Sequence, residues 1–176
     1  FHKIFRTLAA TDKLTVASVQ GYCLGGAMEL ATFCNFLITA DNAVFGQPEI
    51  KVGCYPPIAT AWLPKLVGSK RAFEITMLGE NISAADALNM GLVSKIVPAV
   101  QLAAETDNLI SKLTQLSSVV LKYTKKALTA GMEENFLPAL DRAESIYLEQ
   151  LIQTEDIREG LNAFMEKRKR RHQAVV

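Results

Sequence analysis

The sequence predicts an α/β fold, on three observations. Residues 14–19 are apolar and β-branched enough for a buried strand, and the run ends on the turn signal Gln20-Gly21. The pair Gly25-Gly26 directly precedes good helix formers, Ala27-Met28-Glu29-Leu30-Ala31, so the glycines mark a helix start. Short β-like runs and glycine turns fill the chain up to Pro98, and helical patterns with few glycines follow it.

Taken in order, a helix is expected straight after the Gln20-Gly21 turn. Residues 35–39 then read as a second strand and residues 44–46 as a third, and Pro48-Glu49-Ile50 opens a loop. Pro56 and Pro57 fix a stiff corner ahead of the apolar residues 58–67. Ser83-Ala84-Ala85-Asp86 has the pattern of a capping box and opens a short helix that stops at Gly91, after which residues 92–97 return as a strand. Three or four helices follow from Leu102. Thr154-Glu155-Asp156 caps the last, which runs towards the basic residues 167–171. The apolar spacing of Phe136, Leu140, Ile146, Tyr147 and Leu151 suits helices with a buried face. The organisation expected is residues 1–98 as a core and residues 99–176 as a helical, oligomer-forming region.

Composition narrows the function. With 176 residues, 49% hydrophobic and 21% charged, the chain can bury a sizeable core and is not a disordered or collagenous polymer. Nineteen basic residues against eighteen acidic ones leave a formal charge of +1, so no global field draws nucleic acid or an anionic membrane. No apolar stretch approaches the roughly 20 residues that span a bilayer. The two histidines, His2 and His172, lie near the chain ends, which disfavours an imidazole base or a His-rich metal site in the body of the fold. Cys23, Cys34 and Cys54 match no zinc or redox spacing and read as small buried thiols in a reducing compartment.

Chemistry is expected near Gly25-Gly26. Backbone N–H groups at a helix start lack intrahelical partners, and glycine lets an acyl oxygen approach them closely. Tight packing of strand and helix is the other use of such a pair. Glu29, one turn in, could hold or deprotonate a water, although acidic residues favour any helix's first turn. Glu49, in Gly46-Gln47-Pro48-Glu49, reads by itself as a surface glutamate. If the two converged on one pocket, repulsion would split them into proton donor and acceptor.

The runs Val19-Gln20-Gly21-Tyr22-Cys23-Leu24-Gly25-Gly26-Ala27-Met28-Glu29-Leu30 and Phe45-Gly46-Gln47-Pro48-Glu49-Ile50 closely resemble the enoyl-CoA hydratase/isomerase, or crotonase, family. Ala84-Ala85-Asp86-Ala87, Gly91-Leu92-Val93 and the segment from Glu159 to Arg168 follow in the same order, so the likeness spans nearly the whole chain. The resemblance implies the later part of a crotonase (ClpP/crotonase) spiral of β-β-α turns followed by a helical C-terminal region. It implies reversible addition of water to an α,β-unsaturated acyl-CoA thioester, a hydro-lyase reaction needing no metal or redox cofactor, coenzyme A being part of the substrate. Gly26 would offer one oxyanion N–H. The second donor comes in the family from a loop upstream of the position of Phe1, so part of the family pattern is expected ahead of this chain. Glu29 and Glu49 match the two glutamates that activate water and protonate the α-carbon. Isomerisation and acyl-CoA hydrolysis are the family's alternative reactions.

The segment Tyr55-Pro56-Pro57-Ile58-Ala59-Thr60-Ala61-Trp62-Leu63-Pro64 departs from the glycine-rich run common in the hydratases. Tyr55, Pro56, Pro57 and Trp62 are therefore read, with Gly25, as substrate-binding, and the corner resembles hydratases of cyclic dienoyl-CoA substrates in anaerobic aromatic degradation. Filling a core or a subunit contact is the alternative for Tyr55 and Trp62. Phe164 and Lys167 match positions that reach the adenine end of coenzyme A on a neighbouring subunit. The basic residues 167–171 suit that role or a solvated helix end, ahead of a nucleic-acid or assembly function. The resemblance implies a homo-oligomer, a trimer or dimer of trimers, located in the cytoplasm or, in a eukaryote, the mitochondrial matrix.

Overall fold

The computed structural model describes residues 2–52, 55–132 and 145–168. The chain divides into two compact units, residues 1–11 with 15–110 and residues 12–14 with 111–176.

In the first unit a helix, α1 (His2–Ala10), precedes β1 (Val16–Val19), β2 (Tyr22–Leu24), α2 (Gly26–Phe33), β3 (Phe36–Ala40) and β4 (Val44–Gly46). A 3-10 turn (Pro48–Val52) leads to α3 (Pro57–Leu78), followed by β5 (Ile82–Ser83), α4 (Ala84–Asn89), β6 (Lys95–Val97) and α5 (Leu102–Thr114). Among the described residues the strands form two three-stranded sheets, ordered β1-β3-β6 and β2-β4-β5. The first four strands alternate between the sheets: β1 pairs in parallel with β3 at Val16↔Phe36, and β2 with β4 at Tyr22↔Val44. Two strands and then a helix make one turn of the spiral, the topology that the resemblance implies.

The strand expected at residues 14–19 is there, but a second one, β2, stands between the Gly21 turn and α2, where the sequence reading goes straight to the helix. Three residues are too few to show a period of two. The segment from Pro48, expected as a loop, is a 3-10 turn instead, with Pro48 supplying the fixed φ of a helical start. Four of the five β3 residues are buried, so Leu37-Ile38-Thr39-Ala40 is an unbroken run rather than an alternating one, as a parallel strand covered on both faces requires. Thr39, fully buried, keeps its hydroxyl satisfied by donating to the Val19 carbonyl at 3.1 Å.

Met28, Leu37, Phe45, Leu63, Ile75 and Ala87 belong to one core cluster, so α2, α3 and α4 close over the strands from which the site projects. Ser83 caps α4 as its sequence indicates: its Oγ accepts the Asp86 N–H at 3.1 Å and donates to Oδ2 of Asp86 at 2.6 Å. α3 carries Pro57 at its first position and is broken at Gly68, whose φ of 74° and ψ of 167° are non-helical.

The second unit comprises α6 (Ser118–Gly131), a π turn (Ile146–Gln150), a 3-10 turn (Leu151–Gln153) and α7 (Glu155–Met165). Ser117 caps α6 by accepting the Val120 N–H at 3.2 Å. Lys122 pairs with Asp12 at 2.6 Å and Lys125 donates to the Lys13 carbonyl at 2.7 Å, which attaches residues 12–14 to this unit. α7 stops at Met165 rather than running on into the basic residues. Lys167 turns the chain with a φ of 52°, and Arg168 forks onto Glu159 at 2.6 and 3.0 Å and meets Glu166 at 2.5 Å. Those two carboxylates push the Arg168 guanidinium pKa further up. Phe136, Leu140 and residues 169–171 lie outside the described residues, as do the side chains of Ile146, Tyr147 and Leu151.

Candidate active site

The site is built where β2 passes into α2. Gly25 is the N-cap of α2, with φ 55° and ψ −129°, a conformation that glycine adopts without a Cβ penalty. Its N–H donates to the Gly46 carbonyl at 2.8 Å, extending the β2–β4 pairing, and its carbonyl accepts the Glu29 N–H at 2.9 Å and Nε2 of Gln47 at 3.4 Å. A Cβ at position 25 would stand 2.5 Å from Oε1 of Glu49. The bare face of Gly25 is therefore the surface on which the Glu49 carboxylate rests. Gly26 is the first helical residue and presents an N–H for which the helix offers no acceptor.

The two glutamates are held by different forces. Glu29 is 4% exposed, and its Oε1 accepts the Ala59 N–H at 2.8 Å. Ala59 is the third residue of α3, and Pro56, at the N-cap, has no side chain able to cap it. Glu29 reaches across from α2 to perform that function, at the positive end of the α3 dipole. Glu49 sits in the Pro48–Val52 turn, and its Oε2 is buried without a hydrogen-bond partner among the described residues. The same holds for Oε1 of Gln47, which is completely buried. Unsatisfied buried acceptors are rare and mark places where a ligand or a transferable proton completes the network. The Glu29 carboxylate thus lies at the start of α3 and the Glu49 carboxylate at the start of α2. One is oriented by a backbone donor and the other is seated by packing against glycine.

The remaining expected residues are distributed around this centre. Tyr55 is exposed, Pro56 buried and Pro57 exposed at the head of α3, next to the Ala59 amide that Glu29 binds. Trp62 is used in packing α3 on α2: its Nε1–H donates to the Thr32 carbonyl at 3.0 Å and its ring lies 5.0 Å from that of Phe33. Phe33 in turn meets Phe5 edge-on at 5.3 Å. Lys167 is exposed at the left-handed turn after α7, and the Phe164 side chain lies outside the described residues. Ala59 and Gln47 are the participants that sequence reading missed. Gln47 stands inside the quoted motif, whereas a backbone amide at position 59 leaves no mark in a sequence.

Cys23 is a buried free thiol whose pKa burial pushes up from 9.0 to about 11, so it is no nucleophile at neutral pH. Cys34 is free and half-buried, its Sγ–H directed at the Leu30 carbonyl at 3.5 Å, and Cys54 lies outside the described residues. Among the described residues no group of three or more His, Cys, Asp or Glu side chains gathers as metal ligands, and no helix is long and apolar enough to cross a membrane.

Comparison with known proteins gives this geometry its context. The chain is 37% identical over 171 residues to the crotonyl-CoA hydratase of Syntrophomonas wolfei, covering 95% of this chain and 64% of that protein. It is 36% identical over 169 residues to the short-chain-enoyl-CoA hydratase of Clostridium acetobutylicum, covering 96% and 64%. The crystal structure of an enoyl-CoA hydratase from Bacillus anthracis superposes with a TM-score of 0.92 at 30% identity, over 98% of this chain and 67% of that one. The chain thus spans somewhat less than two thirds of the length of the two hydratases. The family model for enoyl-CoA hydratase/isomerase matches residues 1–174. With a spiral of the same topology and the two glutamate-bearing motifs set around one helix start, the chain belongs to the enoyl-CoA hydratase/isomerase family.

Proposed function

We propose that the protein adds water reversibly across the double bond of an α,β-unsaturated acyl-CoA thioester. The observation that carries this reading is the arrangement about α2: a Gly26 N–H to which the helix offers no acceptor, the Glu49 carboxylate against Gly25, and Glu29 oriented through one oxygen by the Ala59 amide. Glu29 then has its second oxygen for a water, whose proton it takes as the oxygen attacks the β-carbon. Charge moves onto the thioester oxygen, where the Gly26 N–H receives it. Glu49 gives a proton to the α-carbon, and the reverse reaction exchanges the two roles. The names of the S. wolfei and C. acetobutylicum relatives support the same reaction type.

Glu29→Gln and Glu49→Gln test it. Each change is expected to lower kcat for hydration by about 10²–10⁴-fold, the usual range for loss of a positioned acid or base, with coenzyme A binding retained. Hydration persisting in the double variant would overturn the reading. Product analysis in isotopic water separates hydration from isomerisation, which incorporates no oxygen, and from hydrolysis, which labels the carboxylate.

The acyl group is proposed to differ from a plain short straight chain, because two prolines form a stiff corner beside Ala59. A panel of linear and cyclic enoyl-CoAs tests this: preference for a cyclic dienoyl thioester supports it, and preference for the crotonyl thioester refutes it. A homo-oligomer, a trimer or dimer of trimers, is part of the same proposal, supported by the exposed Leu128, Met132, Leu148, Leu161 and Met165 of the second unit. Sedimentation of the full chain reads it directly.

A further inference from the structure

Glu49 has an oxygen without a described partner, so packing must fix where its carboxylate lies, and one side of that packing is Gly25. The turn that carries Glu49 is itself met by Gly79. This residue ends α3 in the left-handed conformation, φ 62° and ψ 26°, its N–H returning to the Ile75 carbonyl at 3.3 Å. A Cβ built on it would meet Cγ2 of Ile50 at 2.8 Å and the Gln47 carbonyl at 3.2 Å. Those two residues flank Pro48 and Glu49. The Ile50 methyl could swing outward, because Ile50 is 39% exposed, but the Gln47 carbonyl belongs to the backbone of the turn and could yield only by moving it.

We propose that Gly79 is a positioning residue for Glu49: the bare α3 terminus is a stop against which the Pro48–Val52 turn closes, setting how far the carboxylate stands from the α2 start. This inference rests on the acid–base reading of Glu49 for its kinetic consequence, and not for its geometry.

The chain supplies matched controls. Gly91 also has a positive φ, 82°, yet a Cβ there would meet nothing within 4 Å. Gly91→Ala therefore imposes a comparable backbone strain with no push on the turn, whereas Gly79→Ala imposes both. In the full chain, Gly79→Ala is expected to lower kcat for enoyl-CoA hydration by roughly 10- to 100-fold with KM little changed, since sub-ångström misplacement of a reacting group acts on the chemical step. Gly91→Ala should lose similar thermal stability and keep kcat within about twofold. Adding Ile50→Ala to Gly79→Ala removes the side-chain clash and leaves the Gln47 carbonyl contact, so kcat should stay low. This double variant also serves if the single one does not fold.

A second readout needs no turnover. With ¹³C-labelled glutamate, the Glu49 carboxyl resonance, identified as the one lost in Glu49→Gln, should shift in Gly79→Ala and stay in place in Gly91→Ala. An unmoved resonance, or equal kinetic effects of the two alanines, would reduce Gly79 to an ordinary helix cap and overturn the proposal. Full hydration by Glu49→Gln alongside a shifted resonance would instead remove the acid–base role of Glu49 and leave the positional claim standing.

Discussion

In the first unit Met28, Ala40, Phe45 and Ala87 are wholly buried, and both core clusters lie there. In the second unit α6 buries none of its residues, Leu128 and Met165 are 65% and 79% exposed, and Ala163 is the buried apolar side chain among the described residues. Ion pairs and helix caps provide much of the visible bonding in that unit: Lys122 with Asp12, Arg158 with Glu155 at 2.9 Å, and Arg168 with its two glutamates. The exposed pairs among them, Lys122 with Asp12 and Arg158 with Glu155, contribute little to stability, whereas the fork of Arg168 on Glu159 is half-buried. The difference teaches that the first unit is held by its own core, whereas the second presents apolar surface for which a further contact is the natural complement.

Four measurements would break or sharpen that contrast. Phe45→Ala empties the centre of the first core and should cost about 3–5 kcal/mol in denaturant unfolding, enough to unfold a marginal domain. A loss below about 1 kcal/mol would deny the first unit its autonomous core.

Cys23 gives the next effect. Its folded pKa of about 11 lies above the ordinary 9.0, so the unfolded thiol loses its proton first. Stability from this group is complete below about pH 9 and declines as pH rises through 11, by about 3 kcal/mol in total. Unfolding curves at pH 8 and pH 11 for the native chain and Cys23→Ala should show an alkaline loss that is smaller by most of that amount in the variant. Equal losses would mean that Cys23 is not sequestered.

Ser83→Ala removes the α4 cap and should cost about 1 kcal/mol, read as a fall in Tm. Leu128→Ala, on the exposed face of α6, should change the stability of an isolated chain by less than about 0.5 kcal/mol. A larger, concentration-dependent loss there would show that a second copy covers Leu128, turning the contrast between the units into a statement about assembly.

What the sequence disclosed and what it hid follow the range of the interactions. The start of α2 at Gly25-Gly26 and the Ser83 box are legible because caps are satisfied within four residues. β2 is hidden because it has three residues, and α3 because Pro64 and Gly68 interrupt a helix that runs from Pro57 to Leu78. At the site, glycines and glutamates stand in a recognisable pattern, but their partners do not. The Ala59 amide is 30 residues from Glu29, and Gly79 meets the Glu49 turn from 30 residues away. Trp62 shows the same limit from the other side: an aromatic beside a catalytic-looking corner is occupied by the Thr32 carbonyl and Phe33. No local pattern distinguishes a ring that lines a pocket from one that joins two helices.

The bond from Ala59 to Glu29 ties reactivity to architecture. Whatever chemistry the site performs, position 29 could not drift freely, because the longest helix of the first unit would lose the acceptor at its head. The helix would first have to recruit another, and until then the carboxylate would persist for reasons of shape alone.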